Sequence, residues 1–183
     1  MKHTGSFEKY GDAPVFGSLE TGTMFDAYVT RQDGRFRMDV SWRPQKALAV
    51  TFSDAGVHWD EPIITLRHEE DSPWEQDINR NCVMKDPRGD GYIMWYTGQW
   101  CDESGGRSAI GIARSADGIH FERSRTDPVL VPKTDFEGAS VMNPFVMYED
   151  GKFRMWYAAG ETYEPNVICY AESTDGITWE KHA

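Results

Sequence analysis

Asp150-Gly151-Lys152-Phe153-Arg154-Met155-Trp156-Tyr157 is one of three related stretches in this chain of 183 residues. The others are Asp33-Gly34-Arg35-Phe36-Arg37-Met38 and Asp90-Gly91-Tyr92-Ile93-Met94-Trp95-Tyr96, the latter one residue shorter between glycine and methionine. Their methionines stand 56 and then 61 residues apart, counting Met38 to Met94 to Met155. A second motif follows each: Ser53-Asp54-Ala55-Gly56-Val57-His58-Trp59, Ser115-Ala116-Asp117-Gly118-Ile119-His120-Phe121 and Ser173-Thr174-Asp175-Gly176-Ile177-Thr178-Trp179. Their aromatic ends lie 62 and 58 residues apart, so both motifs share one period. Chance explains that poorly; an internal repeat explains it well.

Each unit reads as four strands. In the third, residues 141–148 form an apolar run and Asp150-Gly151 supplies a tight turn. Residues 152–159 then alternate and are aromatic, 166–172 form a third strand, and a short fourth strand ends at Trp179. No helical period competes with this pattern. The expectation is an all-β chain, a β-propeller of four-stranded antiparallel blades with three blades present. They fall at about residues 20–65, 74–125 and 136–183 of a single partial propeller domain, with inner strands near 26–30, 78–85 and 141–148. The Ser-x-Asp-Gly-x-x-aromatic motif recurs in every unit and is read as structural: serine and aspartate bond the turn, and the aromatic packs between blades. Asp39 stands where the other units have Trp95 and Trp156, which predicts an unusual inter-blade face in blade one.

Bulk composition narrows the partners. Aromatic residues make up 13% of the chain, which argues for a packed β-rich fold and against disorder. The net charge of −11 argues against nucleic acid and anionic membranes, both of which call for a cationic surface. No segment approaches the ~20 apolar residues of a membrane span. Met1-Lys2-His3-Thr4-Gly5-Ser6 lacks the apolar core of a secretory signal, and Cys82, Cys101 and Cys169 are odd in number without metal-site spacing. The resulting expectation is a cytoplasmic protein with free thiols, needing neither metal nor cofactor.

In a propeller the innermost strand descends from one face and the second climbs back. Residues before or at the start of strand one therefore meet residues after strand two around the axis, where a ligand would sit. Those positions hold Asp26, then Asp77 and Arg80, then Glu137 and Asn143. On the return side they hold Trp42 and Arg43, Gln99 and Trp100, and Glu161 and Tyr163. They differ between repeats while the scaffold stays constant. Carboxylates, arginines, amides and aromatics at one mouth suit a sugar, with polar groups for hydroxyls and an aromatic face for the ring.

Phe25-Asp26-Ala27-Tyr28-Val29 followed by Asp33-Gly34 resembles the first blade of the five-bladed glycoside hydrolases of families 43 and 32. The Met-Trp-Tyr and Ser-x-Asp-Gly-x-x-Trp elements carry the same resemblance across nearly the whole chain. It implies that Asp26 acts as general base or nucleophile, although Ala27 replaces the usual proline. The second family aspartate, in an Asp-Pro-x-Val context, corresponds to Asn143-Pro144-Phe145-Val146, where an amide stands instead. The acid glutamate normally comes from a further blade. Glu137 or Glu161 is a candidate acid and Asp77 a candidate modulator, while Arg43, Arg80, Trp100, Asn143, Glu161 and Tyr163 are candidate sugar contacts. Hydrolysis needs one protonated and one ionised carboxyl, and an amide cannot titrate.

Three blades leave two open flanks with apolar sheet faces. A homo-oligomer, most simply a dimer, or the remainder of a longer propeller is expected to cover them. The functional expectation is a glycosidase-like propeller that acts on or binds a carbohydrate. The alternatives are a non-catalytic binding or assembly module and a phosphorylase-type propeller using Arg43 and Arg80.

Overall fold

A computed structural model describes residues 9–182; residues 1–6, expected to carry no secretory signal, lie outside them. Among the described residues twelve strands form three groups of four. Blade one contains β1 (Met24–Gln32), β2 (Arg35–Trp42), β3 (Ala47–Ser53) and β4 (Ile63–Arg67). Blade two contains β5 (Asp77–Lys85), β6 (Tyr92–Asp102), β7 (Gly105–Ser115) and β8 (Glu122–Arg123). Blade three contains β9 (Ser140–Glu149), β10 (Lys152–Gly160), β11 (Pro165–Ser173) and β12 (Glu180–His182). Neighbours within each blade pair antiparallel in chain order. Blades two and three touch through one parallel bridge, Ser108 to Ser140, which links them into one eight-stranded sheet.

The repeat thus predicts the fold and the inner strands. One detail differs: β12 begins after Trp179, and β8 likewise follows Phe121. The aromatic is drawn inward before the last strand starts, because Trp179 packs edge-on against Trp95 of blade two at 6.1 Å.

Strand alternation sends opposite faces of each blade to opposite neighbours. Met94 and Tyr96 of β6 pack with Leu48 and Leu66 of blade one, whereas Ile93 and Trp95 pack with Val141, Phe153 and Met155 of blade three. The core therefore lies between blades. The far side of blade one (Met38, Val40, Ala49) is already buried beneath Phe16, Trp42 and Trp59. That corrects the expectation of two open flanks, since the segment before β1 supplies Phe16. The far side of blade three stays open, with Phe145, Met147 and Trp156 exposed.

Each inter-blade joint is latched at the glycine of the second motif. Ser115 Oγ accepts from Gly118 N–H at 2.9 Å and Ser173 Oγ from Gly176 N–H at 2.8 Å. Both glycines hold positive φ, 77° and 76°. Trp95 Nε1 of blade two donates to Gly176 O at 2.9 Å. At the preceding joint the donor to Gly118 O is Arg37 Nη1, at 2.6 Å. Asp39 supports it, accepting from Arg37 Nε and Nη2 at 2.8 and 2.7 Å with both side chains buried. The departure at Asp39 is thus one half of an ion pair that replaces an indole.

A second device recurs in two blades. Glu75 accepts from Tyr96 Oη at 2.6 Å and from Arg123 Nε at 2.8 Å. Glu137 accepts from Tyr157 Oη at 2.8 Å and also from Lys181. A carboxylate ahead of the inner strand thereby ties the second strand to the fourth.

Candidate functional site

The inner strands do not run regularly through the axis. β1 shifts register between Phe25 and Tyr28, and β5 between Asn79 and Cys82. Within these bulges Asp26 and Arg80 have φ of 57° and 53°, and Asn143 of β9 has 56°. Asparagine and aspartate tolerate this left-handed conformation through local hydrogen bonding, whereas arginine has no such excuse. Strain of about 1–3 kcal/mol at a non-glycine residue, repeated at equivalent places, marks positions where the backbone re-aims a side chain.

The three side chains meet. Arg80 Nε lies 3.3 and 3.2 Å from the two Asp26 carboxylate oxygens, and its Nη1 donates to Asn143 Oδ1 at 2.9 Å. Hydroxyls on the second strands hold the bulges in place. Ser41 Oγ accepts from Arg80 N–H at 2.9 Å and contacts Asp26 Oδ2 at 3.2 Å. Thr97 Oγ1 accepts from Asn143 N–H at 3.0 Å. One residue from each blade therefore converges on the axis, with Arg80 joining the other two.

Beside this group opens a cleft of about 340 Å³. Its walls include Arg43, Asp77, Arg80, Gln99, Trp100 and Tyr163, six of the residues singled out from strand ends. Arg43 stacks on Phe25, its guanidinium 4.9 Å from the ring centroid. Asn79 Nδ2 donates to Gln99 Oε1 at 2.7 Å on the cleft wall. Cys101 Sγ lies 3.7 Å from Tyr163 Oη, an interaction that raises the phenol's pKa. The three cysteines are unpaired. Among the described residues no group of three or more His, Cys, Asp or Glu is arranged to hold a metal ion.

Three predicted residues fall elsewhere, the first being Trp42, which packs on the far side of blade one and donates from Nε1 to Thr21 O at 2.8 Å. Glu161, one residue before Thr162 of the cleft wall, is exposed and does not line it. Glu137 is completely buried in the blade-three tie, its second oxygen accepting from the N–H groups of Lys133 and Thr134 at 2.7 and 3.0 Å. Its position before an inner strand was read correctly, but a short 3-10 turn at Asp135–Glu137 points it into the blade. The counterpart Glu75 was the available signal, because a carboxylate repeated with its tyrosine belongs to the scaffold. Sequence reasoning passed over Asn79 and Phe25, which sit one residue from a bulge and take their meaning from it.

The profile of the glycosyl hydrolases family 32 N-terminal domain matches residues 38–183. The chain belongs to this family. The matched stretch begins at Met38, so β1 and Asp26 precede it. Two solved enzymes share the fold over about a third of their length. A fructofuranosidase from Schwanniomyces occidentalis superposes with TM-score 0.71 at 18% identity, covering 90% of this chain and 34% of the enzyme. A β-fructofuranosidase from Bombyx mori gives TM-score 0.70 at 17% identity, covering 87% and 34%. An uncharacterized protein of Mycobacterium tuberculosis is 38% identical over 106 residues, which are 51% of this chain and 33% of that protein. The chain thus spans about a third of that relative's length. Membership of a glycosyl hydrolase family gives this domain a carbohydrate-related role. No helix among the described residues is long and apolar enough to cross a membrane.

Proposed function

We propose that the axial cleft binds a carbohydrate and that this chain by itself recognises its ligand without turning it over. The observation that carries the reading is the convergence of Asp26, Arg80 and Asn143, each at positive φ on an inner strand, beside a cleft walled by Trp100 and Tyr163. The polar triad offers a carboxylate, a guanidinium and an amide to sugar hydroxyls, and the aromatics offer faces to ring C–H groups. Asn143 keeps hydrogen-bonding capacity but cannot titrate. Glu137 is committed to Lys181 and Tyr157, which removes it as the acid partner of Asp26.

Hydrolysis is the second reading, favoured by the strained backbone at Asp26 and by Asp77 in the same cleft. There Asp26 is the base or nucleophile and Asp77 the second carboxyl. The relatives named above point to sucrose and fructo-oligosaccharides as first probes, beside other oligosaccharides and aryl glycosides. Calorimetry should show saturable binding that weakens about tenfold or more on Trp100→Ala or Arg80→Ala, with no turnover. Turnover abolished by Asp26→Asn would replace binding with hydrolysis, and binding indifferent to both substitutions would remove the cleft from consideration.

The open face of blade three is proposed to receive a further blade. Trp156 occupies the register position of Trp95, so its indole N–H suits the glycine carbonyl of another Ser-x-Asp-Gly turn. Until such a blade covers it, the isolated chain should self-associate through this face. Light scattering should show Trp156→Ala shifting the chain toward monomer, and a wild type that is monomeric throughout its soluble range would count against the reading.

A further inference from the structure

Asn79 is 5% exposed and lies on the cleft wall, and its Oδ1 receives no donor from the protein. Its Nδ2 is already spent on Gln99 Oε1, which fixes the amide so that Oδ1 is the free end. A buried acceptor without a partner costs about 1–3 kcal/mol, and folded proteins rarely leave one without a use. The neighbouring positions deepen the contrast. On the same β5 segment, Arg80 N–H is satisfied by Ser41, and opposite Asn79 in the ladder Thr97 is satisfied by Asn143 N–H. Among the described residues that wall the cleft, Asn79 Oδ1 is the one buried side-chain atom without a hydrogen-bond partner.

We propose that Asn79 is a specificity-determining residue of this site: its Oδ1 accepts the hydrogen of a ligand hydroxyl, and Gln99 holds the amide in the orientation that requires it. The assignment rests on the carbohydrate reading of the cleft and deepens it. The ligand class is a polyol or sugar with a hydroxyl directed at the floor of the cleft, next to the group that contacts Arg80. A deoxy analogue lacking that hydroxyl leaves the acceptor stranded and is rejected, which is how a buried polar group discriminates between ligands of the same shape.

Asn79→Leu separates this role from a structural one. Leucine has nearly the same shape and removes the stranded acceptor, and Gln99 is half-buried at the cleft and can turn to solvent. The variant should therefore melt at or above the wild-type temperature while its affinity for the carbohydrate that binds wild type best falls at least about tenfold. Asn79→Asp supplies a second measurement, because it retains an acceptor and should keep more affinity than leucine does. A lower melting temperature for Asn79→Leu would show a scaffold residue and overturn the proposal. Wild-type binding that survives Asn79→Leu would overturn the assignment of Asn79 alone. A wild type that binds none of the sugars would overturn the carbohydrate reading and this assignment with it.

Discussion

Glu137→Ala should lower stability by about 3–5 kcal/mol, the usual result of stripping one partner from a buried ion pair. The carboxylate is fully buried and accepts from Lys133 N–H, Thr134 N–H, Tyr157 Oη and Lys181. Its loss strands a lysine whose side chain is only 16% exposed, together with a buried phenol. Against a typical total of about 5–15 kcal/mol, that is enough to unfold a fraction of the molecules at ambient temperature. Urea titration measures the effect, and Glu137→Gln should recover part of it by keeping the hydrogen-bond acceptor. The same group makes stability depend on pH. Burial pushes the Glu137 pKa up, but the hydrogen bonds from Lys181, Lys133 N–H and Tyr157 outweigh it and bring the value from 4.5 to about 2. A folded-state pKa below the unfolded one means that the contribution is complete above about pH 4.5 and disappears as pH falls toward 2. Ligand affinity of the folded fraction should not change. Intact stability combined with lost binding or turnover would return Glu137 to the chemistry and contradict the structural role.

Trp95→Ala is the other large effect, at about 3–5 kcal/mol. The indole is wholly buried, meets Phe153 at 5.5 Å and Trp179 at 6.1 Å, and donates to Gly176 O. Both ring contacts and the hydrogen bond cross from blade two to blade three. The damage should therefore be local to that joint: amide exchange should quicken in β9 to β12 more than in β1 to β4. Arg37→Ala tests the preceding joint, where it removes the donor to Gly118 O and leaves Asp39 buried without its cation. Uniform acceleration of exchange in all three blades after Trp95→Ala would mean that the indole supports the whole domain and not one joint. An unchanged melting temperature would dismiss the latch altogether.

These residues also show how far a linear reading reaches. Met38, Met94 and Met155 fall in register, and the turns at Asp33-Gly34 and Asp150-Gly151 each combine two residues at positive φ. Alternation and turn chemistry act over a few residues, so a repeated string implies repeated local structure. The same logic brought Arg43, Asp77, Arg80, Trp100 and Tyr163 to one cleft, because strand direction alone determines which ends share a face.

What each side chain does at those ends depended on partners from other repeats. Arg80 finds Asp26 and Asn143 in the two flanking blades, and Arg37 with Asp39 replaces an indole only because Gly118 lies opposite. Glu137 looked available until Tyr157 and Lys181 closed around it. The period, the strands and the face that carries the site follow from sequence because their causes are local. Bulge geometry, the commitment of each carboxylate and the stranded carbonyl of Asn79 were decided by tertiary structure, since hydrogen bonds are assigned by which groups meet in space after the blades pack.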